Sequence, residues 1–242
     1  MRIELPRSRV RPDESWLAAA ERRATDVGLT GPVLAVDLSG DPLLFGVDDE
    51  HWFACRPMTR GDFRDVSRWV NQPHVARWWD EQRSVEQVET HYGPALAGED
   101  PTRMWVFEVN GRSVGFAQDY RIGDHPDYAL LTGKPDAVGI DYAIGEPAFV
   151  GRGLGTSLLW VLLRDRVVSS YDGLHEVHAA PDHRNTASLR VLAKLGFQQG
   201  TWFDEPRDPR DPHGPVDTVI GCTLDVDTVL GLPAGTDARQ DG

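Results

Sequence analysis

Val150-Gly151-Arg152-Gly153-Leu154-Gly155-Thr156, running on as SLLWVLLRDRVV to Val168, decides how this chain is read. It follows the strand-like stretch DAVGIDYAIGEP (136–147) and opens an apolar helix. Glycines at every second position let backbone N–H groups approach an anion closely, and a helix N-terminus adds a favourable dipole. Arg152 adds a positive charge. In the preceding strand, alternation puts Ile140, Tyr142 and Ile144 on one face and Asp141 and Ala143 on the other. The spacing GxGxxG is absent and no GK[ST] closes the turn, so neither a dinucleotide fingerprint nor a Walker loop is expected. On the glycines alone, a tight strand-to-helix turn and a ligand cradle are both open readings.

Working outward, HEVHA (175–179) reads as a short strand and NTASLRVLAKLGF (185–197) as a helix entered at Asn185. A strand pair follows around Trp202 and Val216–Leu224, separated by the acidic, proline-rich loop DEPRDPRDPHGP (204–215). Upstream, His51 to Pro57 is strand-like, and Thr59 caps a helix through DFRDVSRWVN (62–71). A second helix is expected from Ser84 to about Ala97. MWVFEV (104–109) and SVGFAQDY (113–120) flank Asn110-Gly111, the strongest short hairpin signal. Residues 122–137, rich in Gly, Pro and Asp, read as a long loop. Strands alternating with helices after a hairpin predict a mixed α/β sheet.

The first fifty residues read as an appendage: a helix SWLAAAERRATDV (15–27) ending at Gly28, then a hairpin, PVLAVDL and PLLFGV, turning at Ser39-Gly40-Asp41. The expected organisation is an appendage over 1–50, one mixed α/β domain over 51–224, and a C-terminal tail over 225–242.

The chain has 242 residues, enough for one sizeable core plus an appendage. Twenty-five Lys and Arg against thirty-eight Asp and Glu give a formal charge of −13, which argues against nucleic acid and anionic membranes and favours a cationic partner. No run approaches the roughly 18–20 apolar residues of a membrane helix, and the N-terminus lacks the apolar stretch of a secretory signal. Cys55 and Cys222 cannot form a structural zinc site alone, and the eight His residues show no HExxH spacing, so no metal is expected. The reading is a cytoplasmic protein, monomer or homodimer.

A glycine-rich cradle after a strand, then a strand, then an Asn-capped helix closing on Leu195-Gly196-Phe197 resembles the GNAT superfamily of N-acetyltransferases over about residues 53–224. The resemblance implies a mixed central sheet flanked by helices, with acyl-CoA in a splay between two parallel strands. It implies acetyl-CoA as cosubstrate. The pyrophosphate would be held by the turn Val150, Gly151, Arg152, Gly153, Gly155 and Thr156, although Val150 stands where many members carry Gln or Arg. Ile144 would border the cofactor, and Asn185 would contact the pantetheine arm.

Within that superfamily, WVNQPHVARWWDE (69–81), GFAQDY (115–120), GIDYAIG (139–145) and GRGLGT (151–156) resemble the aminoglycoside 6′-N-acetyltransferases. The siderophore lysine N-acyltransferases share the layout, and PDHRN (181–185) looks like theirs, while Gln118 and Asp141 look like the aminoglycoside group. Acetyl transfer needs the substrate amine bound, deprotonated and aimed at a thioester carbonyl. Asp141 is the candidate for both ammonium binding and proton acceptance. Trp79 is expected to form an aromatic wall, Gln118 to hydrogen-bond the substrate, and Asp124 to supply a further acidic contact. His125 and His183 read as surface residues.

Two departures stand out. Ala180 replaces an acidic residue of the aminoglycoside group, and Leu192 occupies the place of a Tyr proposed there as general acid toward the leaving thiolate. They leave a non-catalytic acyl-CoA-binding module as a third reading.

Overall fold

A computed structural model of the protein describes residues 22, 33–38, 41–46, 51, 53–79, 84–168, 170–207, 213–226 and 229–232. Of the helix expected over 15–27 only Arg22 is described, in helical conformation, and the rest lies outside the described residues. The hairpin at Asn110-Gly111 is the seed of the main sheet: β4 (Arg103–Val109) and β5 (Arg112–Arg121) pair antiparallel across it. Asn110 at φ 51° and Gly111 at φ 74° are both left-handed, as the tight primed hairpin turn requires. β3 (Phe53–Pro57) pairs with β4, and β6 (Val138–Ile144) pairs with β5. β7 (Glu176–Ala179), β8 (Gln198–Pro206) and β9 (Val216–Asp225) complete seven strands in the order β3-β4-β5-β6-β7-β9-β8. The sheet is therefore mixed, as expected.

One junction shapes the site. β6 and β7 run parallel and pair at Val138–Val177 and Gly139–His178. From Ile140 onward β6 has no register partner on β7 among the described residues. The chain after β7 turns to β9 instead, where Ile220 N donates to Pro181 O at 3.0 Å. The two strands thus part, and one edge of β6 is left open beside the glycine turn.

Helices cover both faces. α1 (Phe63–Val70), α2 (Pro73–Trp79) and α3 (Val85–Ala97) lie on one side, with Val66, Trp69, Val88 and Tyr92 packed against Met104, Val106 and Phe116. α5 (Leu154–Leu162), extended by a π-turn over Leu163–Val167, and α6 (Thr186–Lys194) pack on the other side against Trp105, Phe107, Val138 and Ile140. The run Met104 to Phe107 alternates between the two cores, which is why β4 reads as continuously apolar. The same alternation holds in β6: Ile140, Tyr142 and Ile144 face the α5 layer and Ala143 the other.

The stretch 122–137 is not the expected loop. It contains a short 3-10 turn and α4 (Pro126–Thr132). Pro126 sits at the helix start and Gly133, at φ 65°, caps its end, so the two residues that read as breakers are its terminators. α2 was likewise not expected, for the same reason at Pro73. The N-terminal hairpin forms as read, β1 (Val33–Leu38) against β2 (Asp41–Gly46). The segment 225–242, read as a tail, contains β10 (Val229–Leu232), which pairs antiparallel with β1 in a separate three-stranded sheet.

Candidate active site

The glycine turn sits at the open end of β6. Gly151 and Gly153 adopt φ 75° and 79°, a left-handed backbone that any side chain would strain, and Gly153 is the N-cap of α5. The first N–H groups of α5 have no intrahelical partner. At Gly155 a Cβ would lie 3.3 Å from Val191 Cγ2 and 3.5 Å from Ile144 Cδ1, so α5, α6 and β6 meet closely there. Val150 and Arg152 are exposed, the Arg152 guanidinium 5.9 Å from the Phe149 ring. Thr156, in the first turn of α5, is buried. Across the splay, Asn185 caps α6 by accepting from Ser188 N at 3.1 Å, which leaves its amide NH2 without a partner among the described residues. Tyr142 Oη lies 2.8 Å from Ser188 Oγ between them. Ile144 O accepts from, or is held by, His74 Nε2 at 2.9 Å on α2.

On the opposite face of β6 lies a cavity of about 860 Å³ walled by α3, β5, β6, α4 and the end of β8. Asp141 and Gln118 are cross-strand partners, and Gln118 Nε2 donates to Asp141 Oδ2 at 2.8 Å. Burial raises the Asp141 carboxyl above the usual carboxylate range, while the Gln118 and Tyr120 donors and His125 pull it partly back. Tyr120, two residues on from Gln118 and so on the same strand face, lies flat over Gly139; a Cβ there would come 2.6 Å from its ring. Tyr120 packs edge-on to His125 (4.9 Å) and Tyr128 (6.1 Å). Burial and the nearby carboxylates push both tyrosines well above 10, so they remain hydroxyl donors.

Five carboxylates line the cavity (Asp100, Asp124, Asp127, Asp141 and Glu205), and its described lining holds no Lys or Arg. Glu205 is pushed up to about 7, first by burial, then by Asp141 and Asp217. Beneath Tyr128, at 6.5 Å, the buried His178 has neither ring nitrogen bonded, and burial holds it down at about 4. Such a chamber attracts cations and repels anions.

Of the expected substrate positions, Gln118, Asp124 and Asp141 come together in this cavity, Asp124 on its exposed rim. Trp79 does not join them. It packs edge-on against Phe116 at 4.9 Å in the α1–α3 core layer. His125, read as a surface residue, lines the cavity with Nε2 buried and unbonded. Tyr120, Tyr128 and Glu205 were not singled out from the sequence. Tyr120 was within reach of strand alternation from Gln118; Glu205 needed the pairing of β8 with β9, which local sequence does not carry. Leu192 is buried in the α5-side core, 1% exposed, and no hydroxyl stands in its place. Among the described residues no cluster of His, Cys, Asp and Glu could hold a metal ion, and no helix is long and apolar enough to cross a membrane. Both cysteines are free and buried.

Comparison with known proteins bears on the family and the fold. The profile described as "Acetyltransferase (GNAT) domain" matches residues 59–205, more than half of the chain. The chain is 27% identical over 151 residues to the aminoglycoside N(6')-acetyltransferase type 1 of Klebsiella pneumoniae, covering 60% of this chain and 74% of that protein. It is 29% identical over 149 residues to the lysine N-acyltransferase MbtK of Mycobacterium sp. (strain MCS), covering 60% and 59%. Its fold superposes on aminoglycoside acetyltransferase AAC(6')-Ib, solved with coenzyme A and kanamycin, with TM-score 0.61 and 22% identity over 72% of this chain and 95% of that one. It also superposes on the spermidine N-acetyltransferase of Vibrio cholerae, solved with CoA and spermine, with TM-score 0.57 and 18% identity over 73% and 96%. The chain belongs to the GNAT family of acetyltransferases.

Proposed function

We propose that this protein is an acetyl-CoA-dependent N-acetyltransferase acting on a cationic amine, and that the substrate is an aminoglycoside acetylated at its 6′-amine. The observation that carries the reading is the cavity at Asp141, whose described lining holds five carboxylates and no Lys or Arg. An ammonium substrate is drawn into such a site, whereas a substrate presenting a carboxylate finds nothing there to pair with.

The fit to the cosubstrate rests on the left-handed glycine turn with its free helix-start amides, the unpartnered Asn185 amide and the open edge of β6. In this reading Gly151, Arg152, Gly153, Gly155 and Thr156 hold the pyrophosphate, Val150 and Ile144 border it, and Asn185 holds the pantetheine arm. Bound acetyl-CoA supplies the acetyl thioester. Asp141 binds the substrate ammonium and accepts its proton, directly or through water, and Gln118 fixes the carboxylate at 2.8 Å. Burial raises Asp141 and so makes it a better base than an exposed Asp. Asp124 on the rim meets further positive charge. No acid is needed in the place of Leu192, because a thiolate with a pKa of about 8.5 leaves readily near neutral pH. The resulting role is modification of an antibiotic in the cytoplasm, where acetyl-CoA is made.

A second reading, acyl transfer to a lysine side chain in siderophore assembly, draws on the PDHRN stretch at 181–185 and on the mycobacterial relative. A thiol-release assay with acetyl-CoA and longer acyl-CoAs against kanamycin, spermidine and lysine derivatives separates the two. Turnover of kanamycin with acetyl-CoA supports the proposal. Turnover confined to lysine derivatives with long acyl chains overturns it.

A further inference from the structure

Glu205 is a carboxylate that the site as described does not use. It stands at the end of β8, opposite Asp217 in the register with β9, and its side chain forms part of the cavity wall that also holds Asp141. Buried and partly buried carboxylates elsewhere are matched: Asp62 by Arg56, Asp119 by Arg103, Asp182 by Arg184, and Asp141 by Gln118. No hydrogen bond or ion pair reaches Glu205 from the described residues, and the charges that act on it are repulsive. They are Asp141 on β6 and Asp217 on β9, the latter itself engaged by Arg207 at 2.8 Å, while the neutral Tyr120 and Tyr128 hydroxyls on β5 and α4 line the same cavity. The unprotonated His178 below Tyr128 brings no compensating charge, and His125 across the cavity acts on Asp141. An unpaired carboxylate aimed into a chamber whose described lining holds no Lys or Arg lacks a fixed counter-ion, and a ligand can supply one.

We infer that Glu205 is a second ammonium-binding residue, so that the substrate class is an amine with at least two cationic nitrogens, one held at Asp141 and one at Glu205. This rests on the reading of Asp141 as the ammonium site and deepens it. It also couples binding to protons. With its carboxyl near 7, Glu205 is about half protonated at pH 7, and an ammonium group arriving beside it expels that proton. A single-amine ligand seated at Asp141 alone leaves the Glu205 proton in place.

The experiment compares the full-length protein with Glu205→Gln, which keeps the shape and removes the charge. Binding of kanamycin A and of 6-amino-6-deoxyglucose, its single-amine ring, is measured by calorimetry in buffers of different ionisation heat, with no acyl donor. Thiol release is then measured for both amines with acetyl-CoA. The expected result is that kanamycin releases about half a proton more at pH 7 from the parent protein than from the variant. Its kcat/KM should fall at least tenfold in the variant, while that of the single amine stays within about twofold. Equal losses for both amines, or no loss for either, would overturn the inference while leaving acetyl transfer intact. A parent protein that neither binds nor turns over kanamycin, spermidine or the single amine would overturn the proposed function and this inference together. A variant too unstable to assay is replaced by Glu205→Asp, which should keep the proton release but weaken kanamycin binding; proton release absent there as well would count against the inference.

Discussion

Removing the Glu205 charge should stabilise the unliganded protein by an amount that grows from about pH 4.5 to about pH 7 and is complete above that. An ordinary Glu titrates near 4.5, whereas burial and Asp141 hold this one at about 7. Below pH 4.5 the carboxyl is protonated whether the chain is folded or not, and it costs nothing. Between 4.5 and 7 the unfolded chain gives up the proton while the fold keeps it, so stability falls as pH rises. Above 7 the full cost persists. The gap in titration corresponds to about 3 kcal/mol, and partial contact of the side chain with cavity water lowers the expected effect to about 1–3 kcal/mol. Glu205→Gln abolishes this cost and also relieves the repulsion on Asp141. At 2–4 °C per kcal/mol for a domain of this size, its Tm at pH 8 should exceed the parent's by about 3–10 °C, with a difference near zero at pH 4.5. Scanning calorimetry of both proteins at pH 4.5, 6 and 8 makes the comparison. A Tm difference that is the same at all three values, or a variant less stable at pH 8, would refute the electrostatic picture of the cavity.

Two further substitutions probe the scaffold and the cradle. Asp119 is fully buried and accepts from Arg103 Nε (2.6 Å), Trp105 Nε1 (2.5 Å) and Tyr171 Oη (2.6 Å), so Asp119→Asn leaves the Arg103 charge without its partner and should cost about 3 kcal/mol in urea unfolding. A loss under about 0.5 kcal/mol there would show that the pair is not a structural hub. Gly153→Ala forces an L side chain to φ 79°, a strain of about 1–2 kcal/mol, and if the turn holds the pyrophosphate, CoA affinity should drop by about 5–30-fold by calorimetry. Unchanged CoA binding would remove the turn from the cosubstrate site.

Local signals in the sequence were enough for the hairpin at Asn110-Gly111, the Ser84 and Asn185 helix starts and the alternation in β6, because each depends on residues within a few positions. The same local rules misread 122–137, where Pro126 and Gly133 mark the ends of a helix that the sequence reading took for breakers of one. Gln118 and Asp141 were found through family resemblance, and their direct contact at 2.8 Å follows from a register that joins residues 23 apart. Glu205 escaped notice because it reaches the cavity only through β8 pairing on the far side of β9. The packing of Trp79 was illegible for a complementary reason: a tandem Trp pair gives no sign of which ring will pack on Phe116. Tertiary pairing and packing carry this information, and short-range pattern does not.

The central claim is tested most directly by steady-state thiol release from acetyl-CoA with kanamycin, for the parent protein and Asp141→Asn, alongside CoA binding and thermal melting of both. The account predicts turnover by the parent, and at least a hundredfold loss of kcat/KM in the variant with CoA affinity unchanged and the fold intact. Equal turnover by the two proteins would contradict the role of Asp141. A parent protein that binds CoA yet releases no thiol with any amine would contradict catalysis itself.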